Sequence, residues 1–519
     1  MKKIIIGLSC LCMSCVSVWK KESKDYSRNF IDKDKKRPNI ILFLVDDMGW
    51  QDTSVPFWKE RTPLNDIYHT PNMERLAKQG LKFTQAYAAP VCSPTRVSLM
   101  TGTNPARHRV IAWTLKYNVS NHYPSQTLEQ PAWNMNGMCT EPNVPNTYHA
   151  TALPQILKDN GYYTIHAGKA HFGAIGTPDA DPLNIGFNVN IAGHAGGGLR
   201  SYEGLENFGN TPEMFSYQSV PGLEEFYGKD IFLTEALTQK ALKELDRRPR
   251  NKPFFLYLSH YAVHIPIMGD KRFLQKYIDK GLNETEAKYA SLIEGMDKSL
   301  GDVMDYLEKN HLKENTILLF MSDNGGLDRS NRGRSTNTCN APLSSGKGSL
   351  REGGIREPMI VFWENHTKPN SETNQKVIIE DFFPTILELA KIKNYKTIQP
   401  IDGQSFVPVL KNEKMPQNRI LYWHAPNNWN PKFRSLHLAP SSAIREGDFK
   451  LIYYHDTQEF ELFNLKDDIG EKYNLAQKYP EKLKSLAVKL SKYLRQTHAQ
   501  MPIIKATGTP VPLPDERFN

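Results

Sequence analysis

Two runs, Asn39-Ile40-Ile41-Leu42-Phe43-Leu44-Val45 and Thr316-Ile317-Leu318-Leu319-Phe320-Met321-Ser322, are apolar without the in-and-out alternation of a half-exposed strand. Strands of that kind bury both faces, which is the situation of a mostly parallel sheet covered by helices on each side. Each run ends in a pair of oxygen-bearing side chains, Asp46-Asp47 after the first and Asp323-Asn324 after the second. In open α/β sheets ligands collect at the carboxyl ends of the strands, so the two pairs predict one shared metal site.

The rest of the chain reads the same way. Residues 254–259 form another buried run, and residues 81–87 alternate as a strand. Thr70-Pro71 followed by residues 73–80 predicts a short helix with a threonine cap, proline in its first turn and glycine at its exit. A second helix over 152–158 precedes a strand over 162–166, and 289–307 is amphipathic, with Leu292, Ile293, Met296 and Leu300 on one side. Alternating helices and strands imply βαβ units. The Asn-, Pro- and Ser-rich stretch from Lys116 to Tyr148 predicts a long surface insertion of the sort that lines sites. After about Asn412 short alternating strands at 442–445 and 449–454 precede a helix over 480–496. The expected fold class is therefore α/β: a large domain over 38–411 with a central, mostly parallel sheet flanked by helices, plus a smaller C-terminal α+β domain over 412–519.

Met1-Lys2-Lys3 and the apolar stretch that follows predict a secretory signal over 1–22, too short to span a membrane, with a polar linker over 23–37. Cys10, Cys12 and Cys15 all fall in the signal, and Ser14-Cys15 also suits a bacterial lipoprotein cleavage site, so plain cleavage and lipid anchoring both stay open. Cys92, Cys139 and Cys339 remain for the folded body, too few for a disulfide scaffold; Cys139 and Cys339 form either one bridge or two inert thiols. A net charge of +9 spread over 519 residues without arginine blocks gives no case for nucleic-acid binding and fits an acidic or sulfated partner.

Ser93-Pro94 followed by an uninterrupted apolar-periodic segment is a helix start, which places Cys92 just before the amino terminus and Arg96 one turn later. Free amides, the helix dipole and the guanidinium all favour an anion there. A cysteine taken alone would by default be a buried structural residue.

Cys92-Ser93-Pro94-Thr95-Arg96 with Leu99-Met100-Thr101-Gly102 resembles the signature of type I sulfatases, in which the cysteine is oxidised after translation to formylglycine. The likeness continues in family order through 39–47, Gly168-Lys169-Ala170-His171-Phe172-Gly173, 254–266, Ser322-Asp323-Asn324-Gly325 and 346–356, nearly the whole mature chain. It implies an alkaline-phosphatase-like large domain, sulfuric ester hydrolysis and a sulfatase-maturing enzyme as partner. It also implies that Asp46, Asp47, Asp323 and Asn324, with an oxygen of the modified Cys92, hold a hard cation, Ca2+ before Mg2+. One hydroxyl of the hydrated aldehyde would attack sulfur, favoured in its deprotonated form by the metal and Arg96; a base at the position of His171 would then free the sulfate. Lys169 and Lys347 would bind sulfate oxygens, and His264 would protonate the departing alcohol. His108, His166 and His260 read as structural.

Ala170 and Phe172 stand where relatives often have tryptophan and leucine, and Thr103 where many have arginine, which touches the pocket wall and maturation rather than the reaction class. The core motifs do not choose a substrate. Resemblance to the arylsulfatase and N-acetylgalactosamine-sulfatase branch implies an exported bacterial enzyme, periplasmic or anchored to the outer membrane only through a lipid. It would act from the chain end on galactose or N-acetylgalactosamine sulfate, with Trp113, His149, His194, His424 and Asn428 as candidates for the sugar subsite. The rival readings are a phosphatase or phosphodiesterase of the same superfamily and an inactive, sulfatase-like glycan-binding protein.

Overall fold

The two apolar runs are strands, Asn39–Val45 and Thr316–Ser322, and they lie side by side in parallel with Val45 opposite Ser322. The computed structural model describes residues 37–214, 216–327, 340–429, 434–435 and 437–518. The expected signal at 1–22, the linker as far as Lys36, and Cys339 lie outside the described residues.

Burial alternates between two helix layers rather than between core and solvent. Ile41, Phe43 and Val45 enter one hydrophobic cluster together with the helices Leu233–Arg247 and Glu284–Lys309. Ile40, Leu42 and Leu44 enter another with the helices Cys92–Thr101, Leu153–Asp159 and Phe382–Leu389. That is why no polar residue interrupts the strand: neither face meets water. Among the described residues the sheet has nine strands. Its main path runs Ser371–Thr373, Leu81–Tyr87, Arg356–Trp363, Thr316–Ser322, Asn39–Val45, Phe254–Ser259, Tyr163–Gly168 and Val189–Ile191, with Val377–Ile378 paired to Leu81–Tyr87. Only Arg356–Trp363 runs antiparallel to its neighbours.

The predicted helices are present, with boundaries moved by local chemistry. The amphipathic segment extends to Glu284–Lys309 because Asn283 caps it, its side chain accepting from the Glu286 amide at 3.0 Å. Thr70 precedes the helix Pro71–Gln79 but its side chain does not cap it; the hydroxyl is held by Thr53 and Ser54 instead, at 2.8 and 2.9 Å.

The C-terminal region is an antiparallel sheet, Ile420–Ala425, Ser441–Glu446, Phe449–Tyr454 and Phe460–Asn464. One face packs under the helix Pro480–Gln496 and the other against Tyr87, Leu350, Ile355 and Ile378 of the large sheet region. A buried ion cluster joins the two parts: Lys450 Nζ lies 2.9 Å from Glu352 Oε1 and 2.9 Å from Glu471 Oε1, with all three side chains fully buried or nearly so. The 116–148 insertion reaches the same region, since its Leu128–Glu129 pairs with Ile503–Ile504. Cys139 is a free, buried thiol.

Candidate active site

Four adjacent parallel strands deliver their following residues to one end of the sheet: Asp323-Asn324, Asp46-Asp47, the 260–264 turn, and Lys169 to His171. Close approach of the strands helps set this geometry. Gly168 has a φ of +100°, and a Cβ there would lie 1.9 Å from the Ser259 carbonyl oxygen, so only glycine lets Lys169 follow directly and donate its amide to that oxygen at 2.8 Å. Asp47 and His171 both take left-handed backbone conformations, φ 61° and 58°, an uncommon state for non-glycine residues that is found at sites where surrounding contacts hold it.

Cys92 is the first residue of its helix, one step further in than the sequence reading placed it; extended Val91 precedes it and no side chain caps the turn. The serine that reads as the start signal is turned elsewhere, its Oγ 3.0 Å from His171 Nε2. That ring nitrogen also lies 2.7 Å from the Thr114 carbonyl oxygen, which fixes the proton on Nε2 and leaves Nδ1 as the acceptor. Burial, with the charge of Lys169 added, pushes His171 well below the ordinary histidine value.

Arg96 is fully buried, and its donors are taken up in the scaffold. Nε and Nη2 donate to Asp323 Oδ2 at 3.1 and 2.8 Å, while Nη1 donates to the Lys169 carbonyl at 3.0 Å, Tyr257 at 3.2 Å and Ser259 at 2.5 Å. Lys169 Nζ donates to Asp46 Oδ2 at 2.5 Å, Lys347 Nζ lies 2.6 Å from Asp47 Oδ1, and Asn324 Nδ2 donates to that same oxygen at 2.8 Å. His264 Nε2 stands 3.7 Å from Asp47 Oδ2, with Nδ1 2.8 Å from the Ile265 carbonyl oxygen. Burial opposes the Asp47 charge, yet the Lys347 ammonium, supported by His264 and Lys169, holds its carboxyl well below the usual range. Burial lowers His264 to about 3.

The donor set fits a hard cation. Asp46 Oδ1 and Asn324 Oδ1 are buried without a hydrogen-bond partner, the condition an oxygen ligand would be in before a cation satisfies it. Asp46, Asp47 and His264 offer ligand atoms within 4.8 Å of one another, so the histidine expected to act on the alcohol also borders the acidic pair. Burial, with the Asp323 charge added, pushes Asp46 up to about 8. Between the ordinary 3.8 and about 8 the folded protein therefore holds a proton that the unfolded chain has lost, and this group's contribution to stability falls as pH rises through that window. A divalent cation bound there would compete with that proton. Thermal unfolding is expected to show a larger calcium-induced rise in Tm at about pH 8 than at about pH 6, reversed by chelator. An equal rise at both pH values would contradict the assignment of Asp46.

A cavity of about 320 Å3 opens over this cluster, lined by Asp47, Cys92, His171, His264 and Lys347 and walled by Trp113, Leu115, Ile265, Trp429 and Leu438. Of the five sugar-subsite candidates, the structure brings only Trp113 to it. His424 is buried in a strand of the C-terminal sheet between Ser442 Oγ at 2.8 Å and the Gln500 carbonyl at 3.1 Å. Asn428 is spent on Tyr123, whose carbonyl oxygen its side chain reaches at 2.7 Å, and the next residue, Trp429, faces the cavity instead. His149 pairs with Cys139 in a short strand, and His194 lines a separate cleft. His108 and His260 are buried against serine hydroxyls, Ser98 and Ser299, and His166 sits among Phe172, Phe187 and Tyr257. Thr114, Tyr257 and Ser259 gain their roles from partners distant in the chain, and Gln218 and Trp429 from the cavity they line, so none of the five is marked by a local pattern.

Residues 38–392 match the family model described as sulfatase, and residues 346–500 match one described as N-sulphoglucosamine sulphohydrolase, C-terminal. The chain is 31% identical to a sulfatase of Formosa agariphila, over 89% of this chain and 88% of that one. It is 28% identical to N-acetylgalactosamine-6-sulfatase of Mus musculus, over 93% and 81%. Among solved structures, Ps i-CgsB in complex with k-i-k-neocarrahexaose aligns with a TM-score of 0.68 at 28% identity, over 88% of this chain and 93% of that one.

Proposed function

This chain belongs to the sulfatase family, and from that premise we propose that it is an exported enzyme removing sulfate from a sulfated glycan, with galactose or N-acetylgalactosamine sulfate as the favoured unit. The observation that carries the reading is the convergence of Cys92, Lys347 and two histidines on one cavity at the carboxyl ends of neighbouring strands, with the buried Lys169 paired to Asp46 beside it. The naming of the mouse relative and the carrahexaose held by the structural neighbour support the choice of glycan. Two tryptophans and a volume of about 320 Å3 suit one sugar ring entering end-on.

Cys92, converted to formylglycine by a maturing enzyme, is the nucleophile in this proposal. A calcium ion held by Asp46, Asp47, Asp323 and Asn324 would supply positive charge that favours deprotonation of one hydroxyl of the hydrated aldehyde. Lys169 and Lys347 are placed to take sulfate oxygens, exchanging their present carboxylate partners for the substrate anion. Arg96 acts through others, fixing Asp323 and the Lys169 backbone. His171 Nδ1 is the free acceptor that can take a proton, and the Thr114 contact keeps the ring in that tautomer. His264 protonates the departing sugar oxygen; the neighbouring sulfate anion would raise its proton affinity from the low value set by burial.

The proposal is tested by sulfate release from sulfated galactose, N-acetylgalactosamine and glucosamine, with turnover on the first two expected. The acid is tested by leaving group. His264→Ala is expected to lower kcat on a sugar sulfate by about 10²- to 10⁴-fold while costing far less on 4-nitrophenyl sulfate, whose phenolate leaves unprotonated. Equal losses on both esters would remove His264 from that role.

A further inference from the structure

The turn around Gln218 is tied to the scaffold through its backbone. The Ser216 amide donates to Ser219 Oγ at 3.0 Å, and the Ser219 amide donates back to the Ser216 carbonyl at 3.0 Å. Between them the Gln218 amide donates to Ser216 Oγ at 3.1 Å, and its carbonyl accepts from the Arg200 amide at 3.1 Å. One residue on, the Val220 amide donates to the Phe208 carbonyl at 3.1 Å. A residue held this way presents its side chain with little further ordering cost when a ligand arrives. Gln218 lines the catalytic cavity, and among the described residues nothing hydrogen-bonds its side-chain amide. It is the one carboxamide among the described residues of that lining, in a wall otherwise made largely of Leu115, Ile265, Leu327, Leu438 and the two tryptophans.

Two glycines decide what this amide can reach. A Cβ on Gly198 would lie 3.1 Å from Gln218 Nε2 and 3.3 Å from His264 Cε1, so the amide and the ring flank one gap that a larger residue would fill. A Cβ on Gly197 would lie 2.0 Å from the His171 ring. The bare pair thus leaves both histidines and Gln218 open to the cavity. His264 Nδ1 is engaged 2.8 Å from the Ile265 carbonyl oxygen, so Nε2, which adjoins Cε1, is the atom left to serve the departing sugar oxygen. An amide beside that edge of the ring meets the group the sugar carries next to its sulfate ester. A carboxamide both donates and accepts, which matches a hydroxyl, and it brings no charge to repel sulfate.

We propose that Gln218 is a specificity-determining residue, hydrogen-bonding the sugar hydroxyl nearest the sulfate ester and so selecting a sulfated sugar that carries a free hydroxyl there. The proposal rests on the glycan reading above, with His264 as the acid, and adds to it the contact that reads the position beside the ester.

The test measures kcat/KM on the 4-sulfates and 6-sulfates of galactose and N-acetylgalactosamine, each beside the analogue that lacks the hydroxyl nearest the ester, 3-deoxy and 4-deoxy respectively. On the ester turned over fastest, the wild type is expected to prefer the hydroxylated sugar by about 3- to 10-fold, the worth of one neutral hydrogen bond. Gln218→Leu is expected to bring that ratio toward one. Leucine removes none of the backbone bonds that hold the turn, so a thermal melt near that of the wild type is expected alongside. A ratio of one in the wild type, or a ratio kept in Gln218→Leu, would overturn the role. Cleavage of 4-nitrophenyl sulfate by the wild type with no release from any of the sugar sulfates would instead overturn the glycan reading beneath it.

Discussion

Replacing Cys92 by alanine is expected to abolish sulfate release, by at least about 10⁴-fold, in protein that still folds. The size of the effect follows from its position. Cys92 opens a helix whose every residue is buried, and it lines the cavity with Lys347, His171 and His264, the groups expected to act on the sulfate. The small volume removed makes the stability cost minor beside the catalytic one, and a thermal melt close to that of the wild type would separate the two. Turnover retained at even a hundredth of the wild-type rate would exclude Cys92 as the nucleophile.

The second large effect falls on stability. Lys450→Met is expected to lower unfolding free energy by about 3–5 kcal/mol, because it leaves the carboxylates of Glu352 and Glu471 buried without their shared cation. The same cluster holds the segment that presents Lys347. Glu471 Oε2 accepts from Ser344 Oγ at 2.8 Å and from the Glu352 amide at 2.7 Å, on either side of Lys347. Tyr87 and Arg356 add donors to Glu352 at 2.8 and 3.3 Å. Denaturant unfolding therefore serves as the measurement, with sulfatase activity expected to fall before the global transition as the Lys347 segment loosens. A change below about 1 kcal/mol would show that the cluster is not what ties the C-terminal sheet to the large one.

The two apolar runs were legible because both their faces are buried, a condition that leaves its mark in every residue of the strand. The acidic pairs were legible for a related reason: each follows its strand directly, so parallel neighbours in register must bring them together. What could not be read is what depends on partners far apart in the chain. Arg96 reads in the sequence as a fixed positive charge one turn after Cys92, but Asp323, Tyr257 and Ser259 take up its donors. His424 carried the residue type of a ligand-binding group, and its strand register against Ser442 placed it in the C-terminal core. Between Asn428 and Trp429 the difference is one residue, decided by the contact of Asn428 with Tyr123 in the long insertion. Lys450 and Glu471 gave no motif at all; their roles come from meeting Glu352 in the fold.

The central claim, that position 92 supplies a formylglycine nucleophile for sulfate ester hydrolysis, is tested most directly by one experiment. The protein is produced together with a sulfatase-maturing enzyme, the peptide spanning Cys92 is weighed by mass spectrometry, and sulfate release from sulfated N-acetylgalactosamine is followed on the same preparation. An aldehyde in place of the thiol, with turnover proportional to the converted fraction, is the predicted result. An unmodified thiol in a preparation that turns over, or full conversion with no sulfate released from any ester, would contradict it.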